Sequence, residues 1–207
     1  MNLESGLWAS ATELSYSLTL VAGISAQAVL EAFGADPASV EMLTWQQAGQ
    51  RQPDGGVRAG QIPGWAFCFE YLASRLNQSA LTSLSENTEV LHLSYGFGKE
   101  FVKVYRDGRR VTFFEPGIRP PAATDDRHFE HRVTHFMQTK RLDSHRAILE
   151  MFAEHVGSPI PAEDLEGPLL TALLPPSPPR RAAPPQVAPP GGDPRRTLGP
   201  QIGELRL

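Results

Sequence analysis

The run Glu100-Phe101-Val102-Lys103-Val104-Tyr105-Arg106-Asp107-Gly108-Arg109-Arg110-Val111-Thr112-Phe113-Phe114-Glu115 decides how this chain folds. Asp107-Gly108 lies between two stretches of alternating character. A two-residue type I′ turn needs positive φ at both positions, and Asp-Gly adopts it readily, so the pattern predicts an antiparallel hairpin over residues 100–115. With that turn, Val104 faces Val111 and Val102 faces Phe113 on one side. Tyr105 faces Arg110, Lys103 faces Thr112 and Phe101 faces Phe114 on the other. Cross-strand pairs of this kind contribute about 0.2–1 kcal/mol each. Pro116-Gly117 ends the hairpin.

Upstream, the same alternation recurs. Residues 90–95 read as a strand. In residues 65–71, Trp65, Phe67, Phe69 and Tyr71 share one face, and Ala66, Cys68 and Glu70 share the other. The aromatic face is core, and the small residues opposite leave room for close packing. Residues 16–21 alternate Leu18 and Leu20 with small polar residues, and Val57-Arg58 begins a less regular strand. Helices fall between them. Ser25 caps one bearing Val29, Leu30 and Phe33, with Gly34 at its end and a turn at Asp36-Pro37. Thr44 and Gln47 have the spacing of a capping box. Leu76, Ala80, Leu81 and Leu84 mark a short helix. Asp143 or Ser144 opens another, with Ile148, Met151, Phe152 and Val156 on one face and Gly157 at its end. Pro161 starts a last helix, with Glu163 and Asp164 near its N-terminus, running through Leu165 toward Leu169-Leu170. Residues 117–142 give no clear element. The expected fold is α+β: a mainly antiparallel sheet of about five strands with helices packed on it.

After Leu174 the composition changes. Ten of the 19 prolines fall in residues 175–207, and no apolar period is visible there. The expected organisation is one globular domain over residues 1–174 and a disordered Pro/Arg-rich tail over residues 175–207. Arg180, Arg181, Arg195, Arg196 and Arg206 against Asp193 and Glu204 give the tail a charge of +3, so the total of −4 leaves −7 on the body. An acidic body disfavours nucleic acid, whose phosphates require an excess of Lys and Arg. The lone Cys68 has no bridging partner and sits in an apolar run, which fits a reducing cytoplasm. Glu4 and the lack of a basic leader argue against a signal peptide, and no apolar run is long enough to span a membrane.

Several segments occur together in order: Trp8; Leu18-Thr19-Leu20-Val21-Ala22-Gly23; Val29-Leu30-Glu31-Ala32-Phe33-Gly34-Ala35-Asp36; Gly64-Trp65-Ala66 leading to Glu70; Asp107-Gly108 with Phe114-Glu115-Pro116; Gly157; and Leu165-Glu166-Gly167-Pro168-Leu169-Leu170. In these the body resembles an uncharacterised actinobacterial family, domain of unknown function number 6461. The resemblance covers most of residues 8–174, discontinuously. It leaves out residues 119–142 and the tail. It implies a shared fold and a bacterial origin, and carries over no activity.

Three groups of residues invite chemistry. His128, His131 and His135 fall on one face if helical, where imidazoles can bind zinc or nickel. Their spacing matches no established motif, and a solvated helix face is the plainer reading. Glu70 can be a general base at the end of an aromatic strand, or the point where that strand reaches water. Glu100 and Glu115 are neighbours at the open end of the hairpin, and His92 lies on the second face of its strand. Cys68 lacks a reactive setting. Gly96-Phe97-Gly98-Lys99 has glycines and a lysine but neither the length nor the following helix of a phosphate loop. No dinucleotide fingerprint, nucleophile elbow or Cys-x-x-Cys is present, and no cofactor is expected.

Residues 175–181 contain Pro-x-x-Pro-x-Arg in two registers, ending at Arg180 and Arg181, the form of a ligand for an SH3-type groove, although a solubilising tail is the plainer reading. The first expectation is a non-enzymatic accessory or regulatory module with a protein partner, for which Trp8, Trp45, Trp65, Glu70, Arg180 and Arg181 are candidate contacts. The alternatives are a metal-dependent hydrolytic enzyme using Glu70 and the histidines, and an immunity-type inhibitor of a toxin.

Overall fold

A computed structural model describes residues 15–52, 56–71, 76, 78–118, 126–159 and 162–174. The alternating segments form strands: β1 (Tyr16–Ala22), β2 (Glu41–Leu43), β3 (Val57–Ile62), β4 (Trp65–Tyr71), β5 (Glu89–Gly96), β6 (Lys99–Arg106), β7 (Arg109–Phe114) and β8 (Leu169–Ala172). The helices are α1 (Ala26–Ala32), α2 (Trp45–Arg51), α3 (Gln78–Leu84), α4 (His128–Thr139), α5 (Ser144–Val156) and α6 (Ala162–Glu166). The strands make one eight-stranded sheet in the order β2-β8-β3-β4-β1-β5-β6-β7, with antiparallel neighbours throughout.

The fold is α+β, as expected, but the sheet has eight strands rather than about five. The additions are short or irregular. Strand β2 has three residues, too few for a period of two to show. Strand β3 contains Gly60, and the place of its missing Cβ is taken by the Phe67 ring. Leu169–Ala172 read as a continuation of a helix, yet Gly167-Pro168 ends α6 and the apolar run enters the sheet between β2 and β3. There it is buried on both sides, where strands lose their alternation.

The caps form as the sequence requires. Ser25 accepts from the Ala28 N–H, Asp143 from the Arg146 N–H, and Thr44 with Gln47 forms a reciprocal capping box. The segment without a clear element in the sequence contains α4, held by Phe129, Val133 and Phe136 at a spacing of four and three. In the β6–β7 hairpin, Asp107 and Gly108 have φ of 51° and 73°. Arg106 pairs with Arg109, and Tyr105 pairs with Arg110 as expected. Beyond that point the register shifts. Val104 pairs with Thr112, Lys103 with Phe113 and Val102 with Phe114, because a bulge between Val104 and Tyr105 sets one residue aside on β7. The shift turns Phe114 into the core.

Two layers of core follow from the pleat. The aromatic face presents Tyr16, Leu18, Leu20, Phe67, Phe69, Leu91, Leu93, Val102, Val104 and Phe114 to α4 and α5. The small-residue face presents Val21, Ala59, Ala66, Cys68, Val90 and Tyr105 to α1 and α3, whose Val29, Leu30 and Leu81 are fully buried. Arg58 is also fully buried. Its guanidinium donates to the carbonyls of Leu43, Leu165 and Gly167 and lies 5.6 Å from the Trp45 ring. It ties β2, β3 and the end of α6 together. Among the described residues no helix is long and apolar enough to cross a membrane.

Candidate functional site

Polar side chains collect at the end of the sheet where β1 begins. The register aligns Tyr71, Tyr16, Tyr95 and Glu100 in one row across β4, β1, β5 and β6. Tyr16 stacks on Phe69 at 5.4 Å and lies 5.5 Å from Tyr95, and Trp45 meets Tyr71 edge-on at 5.1 Å. His145, near the start of α5, packs 5.0 Å from the Tyr95 ring. The Tyr16 hydroxyl and His145 Nε2 are hydrogen-bonded. Burial, then the nearby Tyr95 and Glu100, holds the Tyr16 phenol well above its usual range. Burial lowers His145 to about 4, with Asp143 opposing and Arg146 assisting. Both groups are neutral at pH 7, so the bond joins two uncharged partners.

The next residue of β1 points the other way, and a second polar row begins there. Ser17 donates to Glu70 Oε2 at 2.8 Å. Glu70 is 2 % exposed, so the strand does not reach water there, contrary to one expectation for this residue. Two residues along, Thr19 Oγ1 lies 2.9 Å from His92 Nδ1, and Ser94 Oγ lies 2.8 Å from Nε2. The order hydroxyl, imidazole, hydroxyl resembles a nucleophile, a base and a group that orients the base. Yet the third group is neutral, and burial followed by the Lys103 charge lowers His92 to about 3. An imidazole that takes a proton only near pH 3 is a weak base at neutral pH. Burial, then Glu70, pushes the Cys68 thiol well up, which removes it as a nucleophile. The row is a satisfied polar seam within the sheet.

The exposed part of this end is the turn between β5 and β6. Gly96 pairs with Lys99, leaving Phe97-Gly98 as a two-residue loop with φ of 53° and 72°. Phe97 is 101 % exposed. Glu100, three residues further on and paired with Tyr95, is half-buried and accepts from the Ser144 hydroxyl at 3.0 Å. Burial raises the Glu100 pKa, the charges of Asp143 and Glu115 raise it further, and the Ser144 bond opposes them. No basic side chain lies within ion-pair distance of Glu100 among the described residues.

The opposite end of the sheet is built differently. Glu89 bonds His155 Nε2 at 2.8 Å and Arg106 at 2.5 Å, and the His155 ring lies 6.0 Å from Trp65 and 5.0 Å from Phe129. Burial alone raises Glu89, but its bonds to His155 and Arg106 outweigh this and lower its pKa. Trp65 is therefore a half-buried packing residue here rather than a free surface ring.

The structure does not bring the sequence candidates into one site. His128, His131 and His135 are exposed on the outer side of α4, whose inner side packs on the aromatic face. Glu70 points to the other face of the sheet. Among the described residues no group of three His, Cys, Asp or Glu is placed to hold a metal. Trp8, Arg180 and Arg181 lie outside the described residues. A cavity of about 260 Å³ lies beside Gln61, Phe67, Asp164, Gly167, Pro168 and Leu169. The amide of Gln61 is engaged by the Ala26 N–H and the Ile24 carbonyl.

Sequence reasoning missed Tyr16, Tyr95 and His145, which meet only through pairings as long as 129 residues. Phe97 had only a partial local signal: Gly98 supplies the second of the two positive-φ positions that a type I′ turn needs, between two alternating runs. No curated protein matches the chain, and no solved structure does. A family model described as a family of unknown function, DUF6461, matches residues 3–139, well over half of the length. The chain belongs to this family of unknown function.

Proposed function

We propose that the chain is a non-catalytic protein-binding module whose contact surface is the turn between β5 and β6. One observation carries this reading: Phe97 is wholly exposed and sits at φ of 53°. A non-glycine residue in the left-handed region costs about 1–2 kcal/mol. An exposed phenylalanine in solvent does nothing to offset that. Strain of this kind at an exposed aromatic supports a binding role. The buried histidines and Cys68 add to it, because each is held in an unreactive form. The lone buried cysteine is consistent with a cytoplasmic module.

The test is cross-linking of the full chain in its native host, with Phe97→Asn in parallel. A reproducible partner should be recovered with the native chain and largely lost with the variant. Recovery of no partner, or equal recovery with both, would overturn the proposal. A parallel chain lacking residues 175–207 asks whether Arg180 and Arg181 make a contact of their own.

A further inference from the structure

We infer that the partner surface that meets this turn is a basic polypeptide segment, with an apolar residue against Phe97 and lysine or arginine against Glu100. The inference rests on the binding reading above and specifies its partner. The reason lies in the start of β6, which follows the turn. Glu100 is half-buried two positions from Gly98, and the charged groups that act on it among the described residues are the carboxylates of Asp143 and Glu115. The Ser144 hydroxyl is its hydrogen-bond donor, at 3.0 Å. Asp143 has a 3.6 Å contact with Arg146, but both side chains are largely in water, where such a contact contributes little. Lys99, the nearest cation in sequence, alternates to the opposite face of β6 from Glu100.

Among the described residues, the result is a carboxylate drawn partly out of water with no cation in ion-pair reach, three residues along the hairpin from a bare aromatic ring. An uncharged or acidic partner that covers the turn and reaches Glu100 would strip more water from that carboxylate and leave it worse placed. A lysine or arginine from the partner reverses this. It neutralises Glu100, relieves the repulsion from Asp143 and Glu115, and brings its own apolar stem along the ring. Apolar anchor and acidic rim therefore select the same kind of segment.

Two measurements test this on the full chain. In the first, amide shifts are followed while a nine-residue oligo-arginine peptide carrying one central leucine is added, with the matching oligo-glutamate peptide as control. The basic peptide should perturb residues 96–101 and 143–144, and its affinity should fall at least fivefold with Glu100→Gln. An equal response to both peptides, a response elsewhere, or indifference to Glu100→Gln overturns the inference. The second places a photo-cross-linking residue at position 97 in the native host and sequences the attached segment. A segment with Lys and Arg in excess supports the inference. A neutral or acidic segment overturns it while leaving the binding reading intact, and no reproducible cross-link overturns both.

Discussion

Helix α5 carries a histidine to each end of the sheet, and the two ends treat it in opposite ways. His145 enters an aromatic row, gives up its charge and bonds a neutral phenol. His155 meets a carboxylate that also holds an arginine. The acids follow suit: the pKa of Glu89 is lowered and that of Glu100 raised. One end is internally satisfied. At the other, among the described residues, no cation lies within ion-pair reach of Glu100, and the turn three residues before it exposes a ring.

The largest expected effect concerns the neutral histidines. A base whose pKa is lowered in the folded state binds fewer protons than it does in the unfolded chain. Stability is then fully present above the unfolded value near 6.5 and is lost as pH falls toward about 4 for His145 and about 3 for His92. Each tenfold loss of proton affinity on folding corresponds to about 1.4 kcal/mol, so the two histidines together remove several kcal/mol between pH 6.5 and pH 4. Urea midpoints across that range should fall steeply, and His145→Gln should flatten the slope by roughly half. A flat profile in the native chain would erase the contrast between the ends.

At pH 7, Glu89→Gln should lower stability by about 1–3 kcal/mol, since it deprives both His155 and Arg106 of a charged acceptor. The lowered pKa of Glu89 means its contribution is present above the ordinary carboxylate range and lost as pH falls through the folded value. The gap between native chain and variant should therefore close in strong acid. Exchanging residues between the two hairpin turns is the next test. Phe97→Asn should raise stability by about 1 kcal/mol and Asp107→Phe should lower it by a similar amount, because both positions have φ near 50°. The smallest effect is Glu100→Gln, expected to raise stability by about 0.5 kcal/mol at pH 7 and to have no effect where Glu100 is already protonated. Thermal melts of these variants would order the two ends. If Glu100→Gln destabilised as much as Glu89→Gln, the open end would not be open.

Much of this fold is legible in the sequence, for a definite reason. Strands β1, β4 and β5, the β6–β7 turn and the caps at Ser25, Thr44 and Asp143 are set by patterns within a few residues. The rest depends on distant pairing. The three residues of β2 are a strand only because β8 lies beside them. The bulge opposite Val104 cannot be counted from either strand alone. Glu70 is legible as a residue opposite the aromatic stripe, but its bond to Ser17, 53 residues earlier, is not. The Gly96-Phe97-Gly98 stretch invites comparison with a phosphate loop, and that comparison hides its simpler meaning as a turn displaying a ring.

The insertion of β8 between β2 and β3 also bears on how the protein is made. The family match ends at residue 139, but the sheet closes only when Leu169–Ala172 arrives and Arg58 finds the carbonyls of Leu165 and Gly167. A nascent chain that has emerged only to residue 139 has β2 without a neighbour, Arg58 without two of its acceptors and the aromatic face without α5. Folding of this body must therefore wait until nearly all of it has left the ribosome, and a translational pause before residue 172 would hold it in its most aggregation-prone form.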